Sequence, residues 1–291
     1  MTRFLDVRLS STGGDLATSV GINQGTSLAD YQSLPLNQLQ RDIRAMNVLV
    51  GTHGFNVNRA DGIEHLSNWE GLLQLGPSYV FIGLLWPGDS VWAHGLDYPE
   101  EPKIANDAGS GLIAPFLNSN FGGVASLSFA SHSLGARLVL ETVVNLTLPV
   151  KRVTLMAGAI DDDCLNTEFQ GAASKIQEIR ALASKKDTVL SGLFPLGNLL
   201  GGIIAEGHPW WHSALGRSGP SQPQPANFLS PFQIPDGWDF NHGNYLQVNP
   251  PPLVSVPIPL AQPWADALLP GGGGNGWQEV WTAAFASTLY R

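Results

Sequence analysis

The residue whose neighbours best suit it for chemistry is Ser133, in Ser131-His132-Ser133-Leu134-Gly135, with small side chains two positions to either side. A serine hydroxyl attacks a carbonyl only when the backbone holds it out of its sheet, beside a base and facing backbone N–H donors. A sharp turn from strand to helix does this, at the cost of a strained backbone, and small flanking residues let strand and helix pack closely around it. The usual pattern is Gly-x-Ser-x-Gly, and Ser131 replaces the first glycine with another small residue. In a chain with 33 glycines, a five-residue match is equally compatible with a plain helix start capped by Ser131 or Ser133. The elements around it must decide.

Leu127 to Ala130 form a short apolar run suited to a buried parallel strand, and Ala136, Leu140, Val143 and Val144 recur at helical spacing after the turn. Asn47 to Gly51 predicts a central strand that ends in Thr52-His53-Gly54-Phe55-Asn56. Glycine there lets the backbone approach a ligand and turn an N–H into a cleft, which makes Gly54 and Phe55 candidates for holding an oxyanion. An ordinary turn with His53 as a satisfied, partly buried side chain is the competing interpretation. A helix is expected over Arg59 to Gln74, a continuous apolar strand over Tyr79 to Trp86, and a helix over Lys103 to Leu117. Further strands are expected at Arg152 to Ala159 and Ile176 to Ala183, with a short helix from Glu168 to Lys175 between them. Phe4 to Ser10 and Thr18 to Ile22, joined through Thr12 to Asp15, read as an antiparallel hairpin at the sheet's edge, followed by a polar connection from Tyr31 to Arg44.

This alternation predicts an α/β fold, a mostly parallel doubly wound sheet with helices on both faces, whose carboxyl edge carries the loops. Residues 1–291 are expected to form a single domain. An irregular Pro-, Gly- and Trp-rich excursion at about 190–265 would pass over the active-site face. After it come the tetraglycine Gly271 to Gly274 and a last helix, Trp277 to Tyr290.

Composition agrees and excludes several functions. Hydrophobic residues make up 43% and charged residues 13% of the 291, as suits a sheet buried on both faces. A net charge of −9 argues against binding nucleic acid or anionic membrane through a general electrostatic field. Cys164 is the only cysteine, so neither an intrachain disulfide nor a multi-cysteine zinc site can form. The N-terminus, with Asp6 and Arg8, lacks an apolar secretion signal, and no run approaches the roughly 20 apolar residues of a membrane span. A soluble, cytoplasmic protein is the expectation.

Taken together, the His-Gly-Phe loop, the Ser133 turn and the strand-helix alternation resemble the α/β-hydrolase superfamily over nearly the whole chain. More narrowly, Thr52-His53-Gly54-Phe55-Asn56, Leu85-Trp86-Pro87, Ser131-His132-Ser133-Leu134-Gly135 and Leu215-Gly216-Arg217-Ser218-Gly219 resemble a bacterial group of esterase-like hydrolases of poorly defined substrate. The resemblance implies an acid after a late strand and a histidine shortly before the last helix. Asp187 and His242 meet that order. Asp161 or Asp163 could serve as the acid instead, with Asp236 and Asp239 further off, while His208 and His212 compete with His242.

The implied activity is that of a serine hydrolase cleaving carboxylic esters, with Ser133 as nucleophile, His242 as general base and Asp187 orienting it. The N–H of Leu134 would join that of Phe55 or Gly54 around the oxyanion. Trp86 and Trp92 are expected to contact substrate. With Phe194, Trp210 and Trp211 they favour a small-molecule ester with an apolar acyl group. No cofactor is expected. His208 and His212 have metal-like spacing, but Pro209 lies between them and no third ligand is evident; Asp161-Asp162-Asp163 reads as a solvated acidic turn. A thioesterase, an acyltransferase or a non-catalytic binding protein could use the same fold.

Overall fold

The computed structural model describes residues 1–10, 15–73, 75–89, 101–192, 213–229, 233–234, 236 and 240–245. Its strands are β1 (Thr2–Arg8), β2 (Leu16–Gly25), β3 (Gln32–Ser33), β4 (Asn47–Thr52), β5 (Tyr79–Leu85), β6 (Ser126–His132), β7 (Val150–Met156) and β8 (Ile176–Leu182). Among the described residues they make one sheet in the order β3-β2-β1-β5-β4-β6-β7-β8. From β1 to β8 across the sheet all pairings are parallel, and β2 and β3 are added antiparallel at one end.

The central strands carry apolar side chains on both faces. Val80, Phe81, Ile82, Leu84 and Leu85 of β5 are all buried, which requires cover above and below the sheet. That cover comes from α1 (Leu36–Ile43), α2 (Arg59–Leu73), α3 (Glu101–Ala108), α4 (Ala114–Asn120), α5 (Gly135–Asn145) and α6 (Gln170–Lys175). α3 continues through a π turn, Gly109–Ile113, into α4, so the expected single helix is longer and locally underwound.

α2 packs on β1 and β5, whereas α3, α4, α5 and the π turn pack on one another, and α6 packs on α5. The β4-to-β5 and β6-to-β7 connections step across the sheet in opposite directions. Because parallel crossovers are right-handed, α2 and α5 lie on opposite faces. The crevice beyond the carboxyl ends of β4 and β6, where the order reverses, is the usual ligand site of such a sheet.

One sequence expectation changes and others gain detail. β1 is not an edge strand: Phe4, Leu5 and Val7 are buried, and β5 pairs with it on the side away from β2. Its charged residues are neutralised internally, Arg3 by Asp42, Asp6 by Arg59 and Arg8 by Asp89. The polar connection over residues 31–44 holds β3 and α1, whose Leu39 and Ile43 are buried. Of the expected excursion, residues near 228 and 233 run beside β8 and its end, with bridges Ile179 to Phe228 and Ala183 to Gln233, and most of the rest lies outside the described residues. The tetraglycine and the last helix lie outside the described residues. Among the described residues no helix is long and apolar enough to cross a membrane.

Candidate active site

Ser133 follows the last residue of β6 and adopts φ 53°, a left-handed conformation that costs a non-glycine residue about 1–2 kcal/mol. Neighbouring backbone holds it there. The Ser133 N–H donates to the carbonyl of Met156 in β7 at 2.9 Å, and its own carbonyl accepts from Ala136 at 3.0 Å. Gly135 is needed next to it, because a Cβ at this position would stand 2.4 Å from the carbonyl oxygen of His53. The first turn of α5 is thus pressed against the loop after β4.

His242 opens a short 3₁₀ turn, His242–Tyr245, and reaches the same point. Ser133 Oγ lies 2.8 Å from its Nε2, and Asp187 Oδ2 lies 2.7 Å from its Nδ1. With the carboxylate accepting from Nδ1–H, Nε2 is left as the acceptor of the serine proton. Asp187 is fully buried, and its other oxygen accepts from the N–H of Leu190 at 2.8 Å. Asp187 thus caps the helical turn that begins at Thr188. His242 pairs with Asp187 rather than with Asp161, which bridges to Ala214, or Asp163. His208, His212 and Asp239 lie outside the described residues.

On the other side of the crevice, Gly54 packs against the serine, where a Cβ would fall 2.6 Å from that of Ser133. Leu134 begins the helical path at φ −65°, and its N–H makes no hydrogen bond among the described residues. His53 stands behind this loop. Its Nδ1–H donates to the carbonyl of Gly54 at 2.9 Å, and its Nε2 accepts from the N–H of Trp86 at 3.4 Å. Burial, reinforced by the nearby Arg8 cation, pushes its pKa down to about 3, so the ring is neutral. His53 is thus a satisfied, buried side chain, and Gly54 beside it packs on Ser133.

Trp86 corrects an expectation. It is fully buried, stacked on His53 with ring centroids 5.9 Å apart, and its indole N–H donates to the carbonyl of His53 at 3.0 Å. It supports the loop from behind rather than presenting a surface to substrate. Trp92, Phe194, Trp210 and Trp211 lie outside the described residues.

Several contributors were missed from sequence. The side-chain oxygen of Asn241 accepts from the N–H and hydroxyl of Thr188, each at 3.1 Å, and from the N–H of His242 at 2.8 Å. It therefore clips the turn after Asp187 to the turn that carries His242. Trp69 of α2 donates its indole N–H to the carbonyl of Tyr245 at 3.2 Å. Arg8, buried at the end of β1, donates to the carbonyls of Trp86 at 2.8 Å and Val57 at 3.1 Å and pairs with Asp89. Leu215 and Gly216 donate to the carbonyls of Ile160 and Gly158, and Gly216 accepts from Ser184, so the Leu-Gly-Arg-Ser-Gly stretch laces the ends of β7 and β8. Only this last motif carried a sequence signal; the others are single residues whose partners lie far along the chain.

The switch-point sheet and the serine-bearing turn define an α/β hydrolase. Residues 32–222, well over half of the chain, match the family described as alpha/beta hydrolase of unknown function (DUF900). The chain belongs to that family. No curated protein matches it. Among solved structures, the catalytic core domain of an acetyl xylan esterase from Trichoderma reesei is 16% identical, over 48% of this chain and 84% of that one, with a TM-score of 0.35. Esterase PE8 is 18% identical over 55% and 79%, with a TM-score of 0.37. The propionate-bound esterase Est2 of the Planctomycetes species Thermogutta terrifontis is 11% identical over 72% and 78%, with a TM-score of 0.36. These likenesses are loose, and the assignment rests on the sheet and the family match.

Proposed function

We propose that this chain is a serine hydrolase that cleaves carboxylic esters through an acyl-enzyme. The observation that carries the reading is the continuous hydrogen-bonded line from Ser133 Oγ through His242 to Asp187, at 2.8 and 2.7 Å, set at a positive-φ turn. Ser133 Oγ attacks the ester carbonyl while His242 Nε2 takes its proton. Asp187 holds the tautomer and stabilises the imidazolium. His242 then returns the proton to the leaving alcohol, and water repeats the sequence on the acyl-enzyme. The oxyanion sits between the N–H of Leu134 and that of Phe55 or Gly54.

The substrate is a small-molecule ester with an apolar acyl group, and no cofactor enters the cycle. One sheet with one continuous buried core among the described residues supports a single catalytic domain.

The test is labelling with a fluorophosphonate, followed by peptide mass mapping and a screen of p-nitrophenyl esters from acetyl to palmitoyl. Label on Ser133, lost together with ester cleavage in Ser133→Ala, is the expected result. A wild-type protein that neither labels nor cleaves any ester refutes the reading.

A further inference from the structure

We propose that His132, the residue before the nucleophile, is a positioning residue that holds the backbone of His242. Consecutive residues of one strand end thereby grip the base twice, Ser133 at its ring and His132 at its carbonyl. The inference rests on the hydrolase reading above and assigns a role within that site.

The geometry is a closed circuit. Ser133 Oγ is 2.8 Å from His242 Nε2, and His132 Nε2 is 2.9 Å from the carbonyl oxygen of His242. Because a carbonyl only accepts, His132 carries its proton on Nε2, and the other nitrogen, Nδ1, is buried without a partner among the described residues. That nitrogen faces the loop after β4, 3.0 Å from the point a Cβ on Gly54 would occupy. The ring is 4.9 Å from that of His242 and 5.7 Å from that of Tyr245, centroid to centroid. It therefore fills the space between the oxyanion loop and the histidine turn, touching both. The Ser133 peptide from which it extends is pinned to β7 by the bond to Met156, so the His132 donor has a fixed origin. Burial, then the neighbouring His242 imidazole, hold its pKa well below the ordinary histidine value, which keeps the donor neutral.

The test compares wild type, His132→Leu and His132→Gln. The Gln Nε2–H extends from its Cβ about as far as the histidine Nε2–H, so it can reach the same carbonyl. Three readouts are taken: kcat and KM on a p-nitrophenyl ester, the thermal midpoint, and the proton NMR resonance of His242 Nδ1–H. His132→Leu is expected to lower kcat on the order of 10²-fold, as misplacement of a reacting group by about 1 Å does, with KM little changed and the resonance shifted or broadened. His132→Gln is expected to recover most of the kcat and the wild-type resonance. A folded Leu variant with wild-type kcat overturns the proposal. So does a Gln variant that keeps the wild-type midpoint but is as slow as the Leu variant. If His132→Leu does not fold, the Gln variant decides alone: retained kcat and resonance support the role, and loss of both at an unchanged midpoint refutes it. If wild type proves inactive, the hydrolase reading fails, while the resonance comparison still decides whether His132 sets the His242 imidazole.

Discussion

Replacing Gly135 with alanine tests whether the first turn of α5 and the loop after β4 act as two sides of one site. The added methyl carbon would sit 2.4 Å from the carbonyl oxygen of His53, where ordinary contact begins near 3.4 Å, so about 1 Å of movement is required. The carbonyl cannot retreat freely, because it accepts from the indole of Trp86 at 3.0 Å. Either the His53–Phe55 loop shifts or α5 slides outward with Leu134, and both motions widen the gap between the candidate oxyanion donors. Overpacking of this kind costs about 1–3 kcal/mol of stability. A displacement near 1 Å at the reacting centre lowers kcat about 10²-fold, or about 2.7 kcal/mol of transition-state stabilisation. The assay is kcat on the best p-nitrophenyl ester beside the urea midpoint. Gly71→Ala is the control, since nothing lies within 4 Å of its Cβ and an exposed helical Gly→Ala stabilises by about 0.5–1 kcal/mol. Gly135→Ala with kcat within about twofold of wild type and an unchanged urea midpoint would refute the reasoning.

Asp187→Asn presents an N–H to His242 Nδ1, forces the opposite tautomer and is expected to lower kcat about 10⁴-fold while the protein stays folded by circular dichroism; retained activity with loss in Asp161→Asn would transfer the acid's role. Ser131 Oγ is buried without a partner among the described residues, so Ser131→Ala should raise stability on the order of 1 kcal/mol by urea titration, and a clear loss would show that the hydroxyl is satisfied. The folded pKa of His53 lies near 3, below the unfolded value of about 6.5. Its stabilising contribution is therefore complete above 6.5 and falls as acid protonates only the unfolded chain, at about 1.4 kcal/mol per pH unit down to about 3. The proton NMR shift of its ring should consequently stay at the neutral value at pH 5, and a titration centred near 6.5 would contradict its burial.

What could be read from sequence was what depends on neighbours along the chain. The strand before Ser133, the glycine two beyond it and the apolar run of β5 are local patterns, and Asp187 and His242 followed from the order a resemblance implied. The interior place of β1 was hidden because Asp6 and Arg8 look like solvent-facing charges, and their partners Arg59 and Asp89 are more than fifty residues away. Trp86 was misassigned for a related reason. Periodicity marks a side chain as buried without saying on which side of a loop it is buried. Asn241 carries no pattern at all, and its importance appears only when residues 188 and 242 meet.

The supports behind the site share a property that bears on why histidine occupies position 132. Any step that turns His242 into an imidazolium is opposed by a like charge nearby, and at the 4.9 Å between the two rings that opposition is about 3 kcal/mol for an effective dielectric of about 20. A lysine or arginine could donate to the His242 carbonyl, but it would impose this penalty, which amounts to roughly 10²-fold in rate. An aliphatic residue would avoid the penalty and lose the bond. A buried imidazole avoids both, because desolvation keeps it neutral while Nε2 still carries a proton. The same logic applies across the crevice, where His53, also neutral, holds the Gly54 carbonyl. The Arg8 cation lies one layer further back and is offset by Asp89.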